Sequence, residues 1–143
     1  MKKRRFFYPD DGPQADLTVE AYGSTLNEAF SNIALGAFNA ITPLEEVEEV
    51  EGRRVEVESE DYLGLLYDFL DELLFIYDSE LLVFSKIDVR LEENPLRLLA
   101  ECIGERLDLN RHRSRIVIKA VTFHQMKIEE TPEGWRIRVV FDT

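Results

Sequence analysis

The sequence predicts an α+β fold in which two helices pack on a mixed, largely antiparallel β-sheet, in the order β-α-β-α followed by four strands. Two segments have apolar residues at helical spacing, and the other patterned segments alternate apolar with polar residues. The later strands are separated by turn residues, and no third helical pattern lies between them. The 143 residues are 45% apolar and contain no internal repeat or linker, so we expect a single domain over residues 1–143.

The first predicted strand and helix lie near the start of the chain. Alternation over residues 15–22 is typical of a half-buried strand. Thr25 and Glu28 then have the spacing of a capping box, in which a hydroxyl and a carboxylate satisfy backbone donors at a helix start. The apolar periodicity over residues 26–41 predicts an amphipathic helix that ends before Pro43.

An acidic run follows and leads into the second helix. Residues 45–61 contain nine acidic and two basic residues, and the alternation of Val55 and Val57 with glutamates predicts a short, exposed strand inside the run. Either Ser59 or Asp61 can cap the helix that comes next. Dense apolar positions indicate that most of its circumference is covered. These positions are Tyr62, Leu63, Leu66, Phe69, Leu70, Leu73, Leu74 and Tyr77.

Strands dominate the remainder of the chain. Alternation predicts a strand over residues 83–91 and another over residues 98–102, separated by a turn. Residues 115–123 are apolar on both faces, which is typical of a central strand. Residues 131–134 read Thr-Pro-Glu-Gly, a turn sequence, and residues 135–141 alternate again.

Charge and composition exclude several classes of protein. With 29 acidic and 17 basic residues the net charge is −12, which argues against a protein whose main function is to bind the phosphate backbone of a nucleic acid. A basic protein partner or a cation is the better expectation. Cys102 is the single cysteine and cannot form an internal disulfide or a zinc site. No signal-peptide core follows the basic start, and no apolar run reaches about 20 residues. We therefore expect a cytoplasmic protein.

Three oxygen donors are candidates for a cation site. Asp142 and the α-carboxylate of Thr143 crowd two negative charges at one strand end, which costs free energy unless a cation is near. Asp16 could add a third carboxylate, and hard ions such as Ca²⁺ or Mg²⁺ take such ligands. The sequence alone does not bring Asp16 to Asp142. Without other information, a turn residue and a solvated terminal acid are the ordinary interpretations of these two aspartates.

Other polar residues leave alternatives open. Lys119 interrupts an apolar run, so it either extends to the rim of the sheet or pairs with acids. His124, at a strand end, is typical of a hydrogen-bonded structural residue, with a ligand or base as the alternative. His112 lies in a basic patch that balances the protein's own acids, with contact to RNA or to an acidic partner as the alternative. Phosphate-binding loops, zinc-protease motifs and nucleophile elbows are absent from the sequence.

Three segments carry a family resemblance. Ala15-Asp-Leu-Thr-Val-Glu-Ala-Tyr-Gly23 with the following Ser24-Thr-Leu-Asn-Glu-Ala-Phe30 resembles the opening of archease, the small protein cofactor of the RNA-splicing ligase. Lys119-Ala-Val-Thr-Phe-His124 and the ending Val139-Val-Phe-Asp-Thr143 are also similar to archease segments. The matches have the family's order and span nearly the whole chain.

The resemblance implies a function. Archeases activate the GTP-dependent RNA ligase of tRNA splicing, the RtcB type, by promoting guanylylation of its active-site histidine, and they permit multiple turnover and broaden its nucleotide use. They are activators, not enzymes, and they interact with RNA only indirectly, through the ligase. The resemblance implies a divalent metal site, for Ca²⁺ or Mg²⁺, at Asp16, Asp142 and Thr143, and it assigns the functional lysine to Lys119.

The sequence departs from the family at three positions, and two other functions are alternatives. Pro13 replaces a usual histidine, Phe123 a frequent tyrosine, and Gln125 a frequent acid. One alternative is a metal-dependent enzyme on a small phosphorylated molecule, which would need a roomy pocket beside Asp16 and Asp142. The other is a non-catalytic adaptor or chaperone that docks through acidic residues 45–61.

Overall fold

Two helices and eight strands make up the computed structural model, which describes residues 4–13 and 15–143. Residues 1–3 and Gln14, which belong to the basic start and to the segment before Asp16, lie outside the described residues. In chain order the elements are β1 Phe6–Phe7, β2 Leu17–Gly23, α1 Leu26–Ile41, β3 Glu51–Glu58, α2 Tyr62–Glu80, β4 Leu82–Glu92, β5 Arg97–Arg106, β6 Ala120–Val121, β7 Lys127–Thr131 and β8 Gly134–Asp142, with a short 3₁₀ turn at Leu44–Glu46.

The strands form two sheets. The larger has the order β1-β2-β8-β6, with β7 also pairing with β8, and the smaller has the order β3-β5-β4. Every pairing among the described strands is antiparallel. The predicted α+β class is confirmed, with its strands divided between two sheets. In the larger sheet β8 is the central strand, because β2 lies on one side of it and both β6 and β7 on the other.

The start of α1 has half of the predicted capping box. Thr25 Oγ1 accepts a hydrogen bond from the backbone N–H of Glu28 at 3.1 Å, as expected for the first residue of a box. The Glu28 carboxylate reaches one residue further back, where it accepts from Ser24 N at 2.9 Å and from Ser24 Oγ at 2.7 Å. The helix ends at Ile41, two residues before Pro43, as predicted.

Of the two predicted caps for α2, the structure has Asp61. Its carboxylate accepts from the Gly64 N–H at 2.7 Å, and Leu81 ends the helix in a left-handed conformation, with φ 57°. In the described part of the chain, no helix is long and apolar enough to cross a membrane.

The core lies between the sheets and the helices. Helix α1 packs against β2 and β8 of one sheet and against β4 of the other, while α2 packs against β3 and β6. Phe38 and Phe84 meet edge to face at 5.4 Å between ring centres, and both are buried. Cys102 is buried, and burial raises the pKa of its thiol to about 12.

The prediction of a central strand over residues 115–123 is wrong. Only Ala120–Val121 is a strand, and it pairs with the last two residues of β8. Val117 and Phe123 are 58% and 57% exposed, so the segment covers the sheet with one set of residues and faces solvent with the other. An apolar run on both faces therefore does not distinguish a buried strand from an edge segment. The strands β1 and β7 were also not predicted.

A buried polar cluster holds residues 105–112 against the acidic run. The Glu105 carboxylate accepts from Glu48 N at 2.6 Å, contacts His112 Nε2 at 3.1 Å and pairs with Arg111. His112 Nδ1 accepts from the Asp108 N–H at 2.8 Å, so the ring hydrogen lies on Nε2 and donates to Glu105. His112 thus contacts one of the protein's own acids from a buried position, but as a hydrogen-bond donor with a neutral ring and not as the balancing positive charge that the basic patch suggested.

The cluster makes stability depend on pH. Burial raises the pKa of Glu105, but the hydrogen bonds from Glu48, His112 and Arg111 lower it more, so the net pKa lies below its ordinary 4.5. A carboxyl with a lowered folded-state pKa stabilises the fold above its ordinary value, and this contribution is lost as pH falls through the folded-state value.

We expect Glu105→Gln to lower the free energy of unfolding at pH 7 by about 2 kcal/mol, because it removes a buried charge-assisted network. The difference from the wild type should shrink as pH falls below 4.5. Urea denaturation at several pH values measures both effects. Glu101→Gln, an exposed change on the same strand, is the control, and equal stability of both variants at pH 7 would contradict the assignment.

Candidate functional site

The pairing of β2 with β8 brings the predicted metal ligands to one end of the larger sheet. Leu17 lies opposite Phe141, so the residue before Leu17 and the residue after Phe141 are Asp16 and Asp142. Thr143 Oγ1 donates to the carbonyl oxygen of Ala15 at 2.7 Å, so the two chain segments stay together beyond the last paired residues. Sequence reasoning alone could not establish this proximity.

The geometry and chemistry of this end suit a hard cation. Residues that face each other across antiparallel strands have side chains on the same face, with Cβ atoms about 5 Å apart. Asp16 and Asp142 are both exposed, so their carboxylates are open to an ion from solvent. All the donors here are oxygens, the ligands that Ca²⁺ and Mg²⁺ prefer. Among the described residues no group of three or more His, Cys, Asp or Glu side chains could hold a metal, so an ion here would need Thr143 oxygens or water as well.

Lys119 lies at the same end of the sheet. Its backbone N–H donates to the Asp142 carbonyl at 2.8 Å, and the next residue, Ala120, pairs with Asp142. Its side chain is exposed and forms no ion pair with any carboxylate in the described ranges. Of the two alternatives for Lys119, the structure therefore has a solvent-facing lysine at the edge of the sheet.

The loop after Lys119 exposes two rings. Phe123 stacks on Tyr67 of α2 with ring centres 4.2 Å apart and an angle of 10° between the planes. His124 is exposed, and its ring makes no hydrogen bond to another described residue, so the expectation of a bonded structural histidine is wrong. Its backbone N–H donates to Thr122 Oγ1 at 3.2 Å, which fixes the turn but leaves the imidazole in solvent.

Sequence reasoning missed Arg138, the central residue of a polar cluster on the same face. Its guanidinium donates to Glu20 at 2.9 Å, to Asp11 at 3.2 Å and to the side-chain oxygen of Gln125 at 3.0 Å. These bonds attach Asp11 and the loop around Gln125 to β8. Gln125, one of the positions at which the resemblance implies a departure, thus serves as a neutral acceptor. The alternation of Arg136 and Arg138 with apolar residues along β8 was the available signal.

A comparison of the whole sequence with models of protein families tests the resemblance that the three short segments suggested. The Archease protein family model matches residues 7–143, which is nearly the whole described chain. The chain belongs to the archease family. The resemblance stated from three short segments is therefore confirmed.

Individual archeases are similar over most of their length. Protein archease from Thermococcus gammatolerans is 48% identical over 131 residues, covering 90% of this chain and 92% of the relative. Protein archease from Sulfurisphaera tokodaii is 41% identical over 142 residues, covering 99% of both chains. These matches include the segment around Asp16.

Two solved structures have a similar fold. The solution structure of Methanobacterium thermoautotrophicum protein 1598 has a TM-score of 0.83 at 42% identity and covers 97% of both chains. A Thermotoga maritima crystal structure, named an archease and "possible chaperone", has a TM-score of 0.55 at 21% identity, covering 100% of this chain and 98% of that one. The second supports the fold alone.

We expect the chain to bind Ca²⁺ or Mg²⁺, and Asp16→Asn with Asp142→Asn to weaken that binding at least about tenfold, because each change removes an anionic oxygen donor. Isothermal titration calorimetry with each metal chloride measures the affinity. Asp88→Asn, an exposed aspartate on β4, is the matched control. Unchanged binding by the double variant would place the ion elsewhere.

Proposed function

We propose that the chain is a protein cofactor of the GTP-dependent tRNA-splicing RNA ligase. It promotes guanylylation of the ligase's active-site histidine, supports multiple turnover and widens the choice of nucleotide, as an activator and not as the enzyme. One observation carries the proposal in a chain of this family: the registers of β2, β8 and β6 gather Asp16, Asp142 and Lys119 at one exposed sheet end.

Electrostatics support approach to a phosphate-handling enzyme. A cleft that binds RNA and GTP carries excess positive charge, and this chain has a net charge of −12. The exposed carboxylates of Asp16 and Asp142 can enter such a cleft ahead of the bulk of the protein. Complementary charge of this kind accelerates association and fixes orientation more than it adds affinity.

The residues at this end have distinct roles in the proposal. Asp16, Asp142 and Thr143 would hold the divalent ion, which supplies positive charge for phosphate oxygens when bound. Lys119 has no acidic partner among the described side chains, so its ammonium can donate to a phosphate oxygen of the nucleotide. The hydrogen bond from Lys119 N to Asp142 O holds the main chain of Lys119 beside that of Asp142, so the lysine side chain starts from the same sheet end as the carboxylates.

An apolar contact beside the charged end would add affinity. Phe123 follows Lys119 by four residues and is 57% exposed while it stacks on Tyr67. Exposed aromatic rings held in place by a neighbour lose little entropy on binding, and aromatic residues are common centres of interface energy. We therefore include the Phe123 ring in the surface that meets the ligase.

The structure weighs against both alternative functions. A small-molecule enzyme would need a pocket around Asp16 and Asp142, but both aspartates are exposed, and a cavity of about 710 Å³ is lined by other residues. An acidic adaptor surface would need free carboxylates in residues 45–61. Several of these carboxylates already have arginine neighbours, including Glu46 with Arg113 at 2.7 Å and Glu51 with Arg106 at 3.8 Å.

We expect Asp16→Asn, Asp142→Asn and Lys119→Ala each to reduce stimulation of ligase guanylylation at least about tenfold, since each removes a group that handles metal or phosphate. The assay combines the chain with its cognate ligase, labelled GTP and Mg²⁺ and measures covalent guanylyl-ligase. Asp88→Asn and Lys86→Ala, exposed changes on β4, should stimulate like the wild type. If all three site variants did so as well, the site assignment would be wrong.

We expect Phe123→Ala to weaken binding to the ligase by about tenfold without changing the metal affinity, because it removes a contact and leaves the carboxylates in place. Surface plasmon resonance on immobilised ligase measures the first quantity, and calorimetry with the metal measures the second. Phe75→Ala is the control, since Phe75 is 56% exposed and lies eight residues beyond Tyr67 on α2. Equal losses for both variants would contradict a localised contact.

A further inference from the structure

The two edges of the smaller sheet differ in how their backbone groups are satisfied. At the β4 edge, side chains of α1 accept the outward N–H groups. Val89 N donates to Ser31 Oγ at 3.1 Å, and Leu91 N donates to Asn27 Oδ1 at 3.0 Å. The opposite edge is β3, which pairs with β5 over eight residues, contains no proline and has no bulge. A long, regular edge strand of this kind is a template for pairing with another strand.

The even-numbered residues of β3 direct their backbone groups away from β5. Just beyond the strand, Ser59 N donates to the Leu96 carbonyl at 3.3 Å, in the same register as the β3–β5 pairing. The hydrogen bonds of an antiparallel ladder join alternate residues, so the odd-numbered residues of β3 bond to β5 and the even-numbered ones point outward. The Gly52 carbonyl agrees with this direction, because it accepts from the Arg53 guanidinium at 2.7 Å at an exposed position.

The side chains along this edge carry both signs of charge. The even-numbered residues of β3 are all exposed, and the side chains of Arg54 and Glu56 are 61% and 57% exposed. Arg54 Nε lies 3.4 Å from a Glu101 carboxylate oxygen on β5 and 3.9 Å from one of Glu56. Charged side chains often protect an edge strand against pairing. This protection depends on repulsion, so the charge that each side chain would face decides whether β3 can pair.

Two copies of β3 match these charges in one antiparallel register. A two-fold axis at Val55 places Arg54 of each copy opposite Glu56 of the other, and it places Gly52 opposite Glu58. These are even-numbered residues, so their outward N–H and C=O groups face each other directly. Opposite charges across antiparallel strands stabilise the pairing. A slip of two residues would instead place Arg54 opposite Arg54 in one direction and Glu56 opposite Glu56 in the other.

We propose that the chain forms a symmetric dimer by antiparallel pairing of β3 with β3 of a second copy. The dimer joins two three-stranded sheets into one sheet of six strands. Arg54 then lies between Glu101 of its own chain and Glu56 of the second copy, so one cation serves carboxylates on both sides. Both copies contribute the same surface, as a two-fold interface requires.

The overall charge of the chain sets the strength of this dimer. Each copy has a net charge of −12, so long-range repulsion opposes the local attraction along β3. We therefore expect a weak association that needs salt to screen the repulsion. The interface belongs to the smaller sheet, whereas Asp16 and Asp142 lie at one end of the larger sheet, so the inference does not depend on the proposed ligase function.

Sedimentation equilibrium measures the association. Between about 10 µM and about 1 mM protein in about 0.15 M salt, the average mass should rise from one chain toward two. Arg54→Glu and Glu56→Arg each place like charges opposite each other twice, so each should weaken dimerisation at least about tenfold. Arg90→Glu and Asp88→Arg change the net charge by the same amounts at exposed positions on β4, and these controls should dimerise like the wild type.

A mixture of the two variants tests the register. In a mixed pair, both positions of the Arg54→Glu chain are acidic and both positions of the Glu56→Arg chain are basic, so opposite charges face each other again. The mixture should therefore associate at least as tightly as the wild type, which also shows that both variants are folded. A wild type that stays monomeric over the whole concentration range would overturn the proposal. So would a dimer that neither charge reversal weakens, or a mixture that associates no better than its components.

Discussion

The antiparallel pairing of β2 with β8 is the constraint on which the rest of the structure depends. It runs without interruption from Leu17 opposite Phe141 to Gly23 opposite Trp135. One end of this ladder brings Asp16 to Asp142, and the residues at the other end line a cavity of about 710 Å³. A slip of one residue would turn buried Val19 and Phe141 toward solvent, so the core of the sheet fixes the register and with it the position of Asp16 beside Asp142.

The sequence predicted those parts of the fold that have local causes. Both helices have their caps and apolar stripes within a few residues of each other, so the bounds of α1 and the Asp61 cap follow from local chemistry. The failures have non-local causes. Phe6–Phe7 becomes a strand because it pairs with the edge of β2. Residues 115–119 do not, because their described backbone hydrogen bonds go to two separate places, Ile41 and Asp142, and form no ladder.

The candidate site could be predicted only in part, for the same reason. Crowded carboxylates indicated Asp142, a charge within an apolar run indicated Lys119, and family resemblance joined them to Asp16. Their shared sheet end is a consequence of strand order, which one sequence does not encode locally. Arg138 and the Phe123–Tyr67 stack were missed because their partners come from distant segments: Asp11 and Gln125 for Arg138, and α2 for Phe123.

The central place of β8 has a consequence for biosynthesis. Each other strand of the larger sheet except β1 bonds to β8, yet β8 is the last of them to leave the ribosome. The smaller sheet and α2 precede it in the chain and can pack while translation continues. During that interval the side of α1 that packs against β8 is uncovered. Closure of the larger sheet therefore waits for its last strand, and it forms contacts between residues far apart in the sequence.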